Sequence, residues 1–168
     1  MAVIFALGAG WLDWRSRRIP NWLTVTGFAA GVCLYGAAGG WRGALTALEG
    51  AGLMLAILLP VVLLRGLGAG DWKLMGALGA VLGWQRVLEV LLSSLLLAGL
   101  LAIVQMIRQK RVRSTFANLW ELLRGFFIFG LRPNPEINLD NPAAMSVPFG
   151  VAAAMATVLC YGLVVVGR

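Results

Sequence analysis

Two aspartates lie where apolar segments of the sequence meet short polar turns. Asp13 comes near the end of the first apolar segment, and Asp71 follows the glycine-rich stretch Gly66–Gly70 at the start of another. A charged side chain at bilayer depth costs roughly 2.5 to 3.5 kcal/mol on insertion scales, and acids in such segments usually have a function. Glycines lack a Cβ and allow another chain to come close. We therefore expect Asp13 and Asp71 to meet at one membrane surface.

Two neighbouring carboxyl groups are able to hydrolyse an amide. The ionised group takes a proton from the attacking water, and the protonated group donates to the carbonyl oxygen or to the leaving nitrogen. The pair shares one proton, because two adjacent carboxylates do not both ionise cheaply. Asp71 is expected at a helix N-terminus, where the macrodipole favours an anion, so it is the better candidate for the ionised partner. Asp13 stands beside several arginines, and a solvated turn is the alternative interpretation of that residue.

The composition indicates a polytopic membrane protein. Of 168 residues, 60% are hydrophobic and 12% are charged, and the mean hydropathy is +0.86. There is no histidine, which excludes Ser-His and Cys-His catalysis and histidine-bound metals. Cys33 and Cys160 lie in apolar segments without a CxxC pattern and are interpreted as packing residues. We expect no cofactor and no metal.

The fold class predicted is all-α, with about six transmembrane helices and one interfacial amphipathic helix in a single membrane-embedded domain, residues 1–168. Pro20 should end one helix, Asn21 should cap the next, and Pro60 is able to kink the third. Residues 1–12 lack a basic n-region and are read as a retained helix, not a signal peptide. The six predicted spans are about residues 1–15, 22–38, 44–64, 71–83, 87–107 and 146–166.

The segment between the last two spans is predicted to be a cytoplasmic loop, residues 108–145. Within it, the apolar stretch 115–130 carries Asn118, Glu121 and Arg124 at three-residue spacing. This pattern favours an amphipathic helix in the membrane interface over a further span. The irregular end of the loop is rich in proline and asparagine.

The distribution of basic residues predicts the orientation. With six spans, eleven of the 14 Lys and Arg residues fall on the side that carries Asp13 and Asp71. The positive-inside rule then places both aspartates at the cytoplasmic face and both termini outside. It also explains the basic excess without nucleic acid. Lys73 is expected to extend towards phosphate headgroups.

The motifs around the two aspartates resemble those of the type IV prepilin leader peptidases, the GxGD membrane aspartic proteases. They are DWR at 13–15, IPNWLT at 19–24 and GAGDWKLMGALGA at 68–80, and VPFG at 147–150 is similar to the start of the last helix of that family. The resemblance implies that Asp13 and Asp71 are catalytic. The positions that support it within the motifs are Gly68, Gly70, Lys73, Pro20 and Asn21.

The same resemblance implies a substrate and a location. The substrate would be a prepilin, whose short basic leader precedes a hydrophobic helix, cut at the cytoplasmic face of a bacterial inner membrane. Members that also methylate carry paired CxxC motifs, which this sequence lacks, so it looks like the short peptidase-only form of tight-adherence or Flp pilus systems. The expected partners are prepilin and membrane lipid.

Other functional classes stay open on the residues alone. A small transporter would also contain glycine-rich helices and membrane acids, although it should show a repeat, and none is convincing here. A noncatalytic pilus-assembly protein is a second alternative. Serine–lysine proteolysis is disfavoured, because no serine lies in an activating setting near Lys73 or Lys110.

Overall fold

Four helices account for almost all of the described chain. The computed structural model describes residues 1–64, 66–109 and 148–166, with the backbone alone for 162–166. The helices are Ala2–Ser16 (α1), Asn21–Leu63 (α2), Ala69–Arg108 (α3) and Phe149–Val166 (α4). Within those ranges there is no strand, which confirms the all-α prediction there. The predicted interfacial helix at 115–130 and nearly all of the loop 108–145 lie outside the described residues.

Helix α2 folds back on itself at Gly40. That residue has φ 59° and ψ −143°, a left-handed conformation that glycine adopts without steric cost. A Cβ built on Gly36 would lie 3.8 Å from the Ala44 Cβ, whereas eight residues span about 12 Å of a straight helix. The turn expected near residues 39–42 is therefore present, and it takes a single residue. The helix continues through Pro60 to its end at Leu63.

Helix α3 is broken in the same way at Gly83, which has φ 76° and ψ 167°. The break takes the Leu82 carbonyl out of the regular helical pattern, and the Tyr35 hydroxyl donates a hydrogen bond to it at 2.9 Å. The predicted spans 71–83 and 87–107 left residues 84–86 outside a helix, which was wrong, because these residues are helical. A single glycine makes the bend, and the Tyr35 hydroxyl of α2 donates a hydrogen bond to the freed carbonyl. The chain therefore needs no extended loop at this point.

Small residues bring α2 and α3 into close contact. Gly50 and Gly79 pack backbone to backbone, and a Cβ on Gly31 would lie 2.6 Å from the Ala80 carbonyl carbon. Gly27, four residues before Gly31, contacts the Phe5 ring of α1 instead. These two glycines at helical spacing therefore meet different helices.

The interior combines these contacts with a cluster of larger apolar side chains. Its fully buried members are mostly on α3, and α1 contributes only alanines. Both α2 and α3 are long and apolar enough to cross a membrane, and Phe149–Tyr161 is a shorter apolar segment of α4. The side chains at the centre of the cluster are Met54, Leu74, Met75, Leu78, Leu82, Val87 and Val90.

Candidate active site

The last turn of α1 presents Asp13. The helix ends three residues later at Ser16. The next residue, Arg17, takes a left-handed conformation, φ 53°, and its N–H donates to the Asp13 carbonyl at 2.9 Å. A short turn follows, and Pro20 forms the N-cap of α2 with φ −70° and ψ 142°. Proline is well suited to this position because its φ is fixed near −65° and it needs no hydrogen-bond acceptor.

The carboxyl group of Asp13 is buried against α4. Only 6% of the residue is exposed, and the Gly150 N–H donates to Oδ2 at 2.8 Å. The Val151 N–H also faces this carboxyl group. These donors belong to the first turn of α4, where backbone N–H groups have no acceptor within the helix. They offset the cost of removing a carboxyl group from water.

Asp71 lies in the first turn of α3, as the sequence predicted. Gly68 is the N-cap residue, and its carbonyl accepts a hydrogen bond from the Trp72 N–H at 3.1 Å. A Cβ on Gly68 would lie 3.1 Å from Asp71 Oδ2, and one on Gly70 would lie 3.4 Å from the Ile19 Cβ. The two glycines thus have different functions. Gly68 leaves room for the carboxyl group, and Gly70 allows the turn after α1 to approach.

The fold brings the two aspartates together. The carboxyl group of Asp71 is partly buried and lies close enough to Asp13 for the two groups to interact electrostatically. The contact between Ile19 and Gly70 joins the turn after Asp13 to the glycine stretch before Asp71. The Arg17 guanidinium is also close enough to interact with Asp13. Two carboxyl groups from separate helices therefore share one small region, and their catalytic role stays a prediction.

Asn21 and Lys73 form a contact that the sequence did not predict. The prediction that Asn21 caps α2 was wrong, because Pro20 is the N-cap residue and no side chain bonds the helix end there. The Asn21 side-chain oxygen instead accepts a hydrogen bond from Lys73 Nζ at 3.0 Å. Lys73 lies two residues after Asp71, so this bond fixes the start of α3 to the start of α2.

Gly150 is the residue of this region that sequence reasoning missed. The VPFG motif at 147–150 served as a family signature, and no contact with Asp13 was expected from it. A glycine just after the start of a strongly apolar helix was the available signal. The described residues contain no cluster of three or more His, Cys, Asp or Glu side chains that would hold a metal.

An apolar groove opens beside Asp13 between α1 and α4. Its volume is about 550 Å³, and Gly10 and Ala154 are among the residues that line it. Trp14 and Val151 also line it, and they adjoin Asp13 and Gly150 in the sequence. The groove therefore extends to the residues that follow Asp13 and Gly150, while Asp13 itself is not among the residues that line it.

Comparison with known proteins identifies a family for this sequence. A sequence model of the type IV leader peptidase family matches residues 1–103, a segment that contains both Asp13 and Asp71. The comparisons with curated proteins and with solved structures gave no match. Since the family match covers more than half of the sequence, the chain belongs to the type IV leader peptidase family.

Proposed function

We propose that the chain is a membrane aspartic endopeptidase that removes the short basic leader from Flp-like type IV prepilins. Membership of the family implies peptidase activity and prepilin substrates in general. The observation that carries the specific proposal is that Asp13 and Asp71, from two separate helices, lie close enough for their charges to interact. The glycine contacts around both residues support it, because they serve to place these two carboxyl groups.

The two carboxyl groups supply the proton transfers that hydrolysis requires. The ionised aspartate takes a proton from a water molecule, whose oxygen bonds to the carbonyl carbon of the scissile peptide, while the other aspartate gives its proton to the carbonyl oxygen. As the resulting diol collapses, the carbon–nitrogen bond breaks. The nitrogen takes the proton from the first aspartate, and a diol hydroxyl returns one to the second. Both residues regain their starting states.

The helix lengths support six membrane crossings. Helices α2 and α3 contain 43 and 40 residues. Unbroken helices of this size would be about 60 Å long, roughly twice the ~30 Å hydrocarbon core. The glycine breaks at Gly40 and Gly83 divide each of them into two limbs. We take these limbs, together with α1 and α4, as the six spans of one membrane domain.

The positions of exposed tryptophans support a placement of the two aspartates near the membrane surface. Trp41 and Trp84 each follow a glycine break directly and are exposed, while Trp14 and Trp22 are exposed near Asp13. Tryptophan is enriched at both membrane–water interfaces. In this placement the aspartates lie near one headgroup layer, where water is available. The basic loops make that layer cytoplasmic, with both termini on the outer side of a bacterial inner membrane.

The groove between α1 and α4 suits the hydrophobic helix of a prepilin. It is almost entirely apolar, and Trp14 and Val151, which follow Asp13 and Gly150 in the sequence, are among the residues that line it. A substrate helix lying there would bring the junction with its polar leader to the aspartates. A second groove, between α2 and α3, suits a basic leader less well, because Lys73 is among the residues that line it.

The test is cleavage of a candidate pilin precursor co-expressed in membranes. Native enzyme should remove the leader, and Asp13→Asn and Asp71→Asn at matched protein levels should not. Glu49→Gln and Glu89→Gln are the controls, because both acids are exposed on the other parts of α2 and α3 and should be dispensable. Cleavage by either aspartate variant at the native rate would exclude that residue from catalysis. Failure of the native enzyme across a panel of prepilins would favour a noncatalytic assembly protein or a transporter.

A further inference from the structure

The first turn of α4 donates a backbone hydrogen bond to Asp13 and, among the described residues, none to Asp71. Helix α4 starts at Phe149, and its first recorded backbone bond runs from the Ala152 N–H to the Pro148 carbonyl at 3.4 Å. The N–H groups before Ala152 have no acceptor within the helix. The Gly150 N–H donates instead to Asp13 Oδ2 at 2.8 Å, in a buried position. Asp13 is therefore held by the backbone of another helix.

Asp71 has a different environment. In the described part of the chain no backbone N–H is recorded as a donor to its carboxyl group, which is affected by burial and by the charge of Asp13. The charged groups that face Asp13 are Arg17 from the end of its own helix and Asp71 from α3, and α4 contributes backbone N–H groups. Hydrogen bonds donated to a carboxylate favour its ionised form, and so does the positive end of a helix.

We infer that Gly150 is a positioning residue of the aspartate pair, and that the first turn of α4 keeps Asp13 as the ionised partner and leaves the shared proton on Asp71. This inference rests on the proposed function. It reverses the expectation from the sequence, in which the α3 dipole alone favoured an ionised Asp71. Asp13 then takes the proton of the attacking water, and Asp71 donates to the carbonyl oxygen of the substrate.

Position 150 requires glycine because a side chain there would collide with Asp13. A Cβ there would lie 2.8 Å from the Asp13 Cβ and 2.9 Å from Oδ2, so an added methyl group displaces the carboxyl group. Gly31 offers a control for overpacking away from α4 and its groove. A Cβ on Gly31 would lie 2.6 Å from the Ala80 carbonyl carbon, and its nearest contacts include neither Asp13 nor Gly150.

The experiment compares native enzyme, Gly150→Ala and Gly31→Ala, purified in detergent, by melting temperature and by kcat and KM on a pilin precursor. Both variants should lose stability, because each crowds a close contact between two helices. Gly150→Ala should lose at least a further tenfold in kcat, with KM within about twofold of the control. The acidic limb of the pH–rate profile of Gly150→Ala should move to higher pH, because a carboxylate that accepts a weaker hydrogen bond binds its proton more tightly.

Infrared spectroscopy keeps the inference testable if Gly150→Ala does not fold. The remaining carboxyl group should lose its protonated band at a lower pH in Asp71→Asn, where Asp13 remains, than in Asp13→Asn, where Asp71 remains. The opposite pattern would overturn the inference. So would equal kcat losses in the two glycine variants while the native enzyme cleaves. A native enzyme that leaves every precursor intact would instead overturn the proposed function, and with it this inference.

Discussion

The Lys73 ammonium group donates a hydrogen bond to the Asn21 side-chain oxygen at 3.0 Å, joining the first turns of α3 and α2. Both residues belong to the motifs on which the family resemblance rests. Both lie close to the aspartates in the sequence, since Asn21 follows the turn after Asp13 and Lys73 comes two residues after Asp71. The bond is exposed, so its net contribution to stability is at most about 1 kcal/mol.

Removing either partner of this bond should have the same effect. Asn21→Ala and Lys73→Met are each expected to lower the rate of leader removal about two- to fivefold, because the start of α3 loses an anchor near Asp71. The double variant should be no slower than the slower single variant. The measurement is a double-mutant cycle on cleavage rates with purified enzyme. Fully additive losses would show that the two side chains act independently.

The sequence predicted features that depend on nearby residues. The glycines at 68 and 70 indicated a helix start with Asp71 in its first turn, and the structure has it there. The turn near residue 40 was also located correctly. Both depend on the backbone freedom of glycine, which can be read from a few consecutive residues.

Features that depend on distant residues could not be predicted in this way. Asn21 precedes a predicted helix and so resembled an N-cap residue. Its side-chain oxygen instead accepts a hydrogen bond from Lys73 in another helix. Likewise, the bond from Gly150 to Asp13 joins opposite ends of the chain. Nothing in the local sequence indicates which helix will lie beside which, and such contacts required the folded structure.

The contact between Gly50 and Gly79 should be sensitive to one added methyl group. Gly50→Ala places a Cβ against the backbone of α3 and is expected to cost about 1 to 3 kcal/mol by overpacking. Gly52→Ala is the matched control, because a Cβ there meets nothing within 4 Å. It should be neutral or slightly stabilising, since alanine favours a helix by up to about 1 kcal/mol over glycine. Thermal unfolding in detergent compares the two, and equal melting temperatures would contradict the packing described.

The hydroxyl group of Tyr35 should stabilise the break in α3. Tyr35→Phe leaves the Leu82 carbonyl without this donor, which is expected to cost about 1 to 3 kcal/mol. Tyr161→Phe is the control, because its hydroxyl accepts a longer and exposed bond from Arg86 at 3.3 Å. Its loss should lower the melting temperature less. A larger effect at Tyr161 than at Tyr35 would show that the break is stabilised in another way.

The space beside Gly68 should matter for turnover more than for stability. A Cβ at this position would lie 3.1 Å from Asp71 Oδ2, so Gly68→Ala is expected to shift the carboxyl group and slow leader removal about tenfold. Gly66→Ala is the control, because its Cβ would make an ordinary contact at 3.4 Å with Val61. The melting temperatures of both variants should stay close to the native value. Native turnover in Gly68→Ala would contradict the proposed position of Asp71.

The most direct test of the two-aspartate mechanism is a comparison of turnover in Asp13→Asn, Asp71→Asn and the double variant, with purified enzyme and a pilin precursor. Residues that act as a unit have strongly non-additive effects on rate. We therefore predict that each single variant loses about 10³-fold or more, and that the double variant is no slower than either. A single variant that keeps more than about a tenth of native turnover, or a double variant whose loss is the product of the two single losses, would contradict the mechanism.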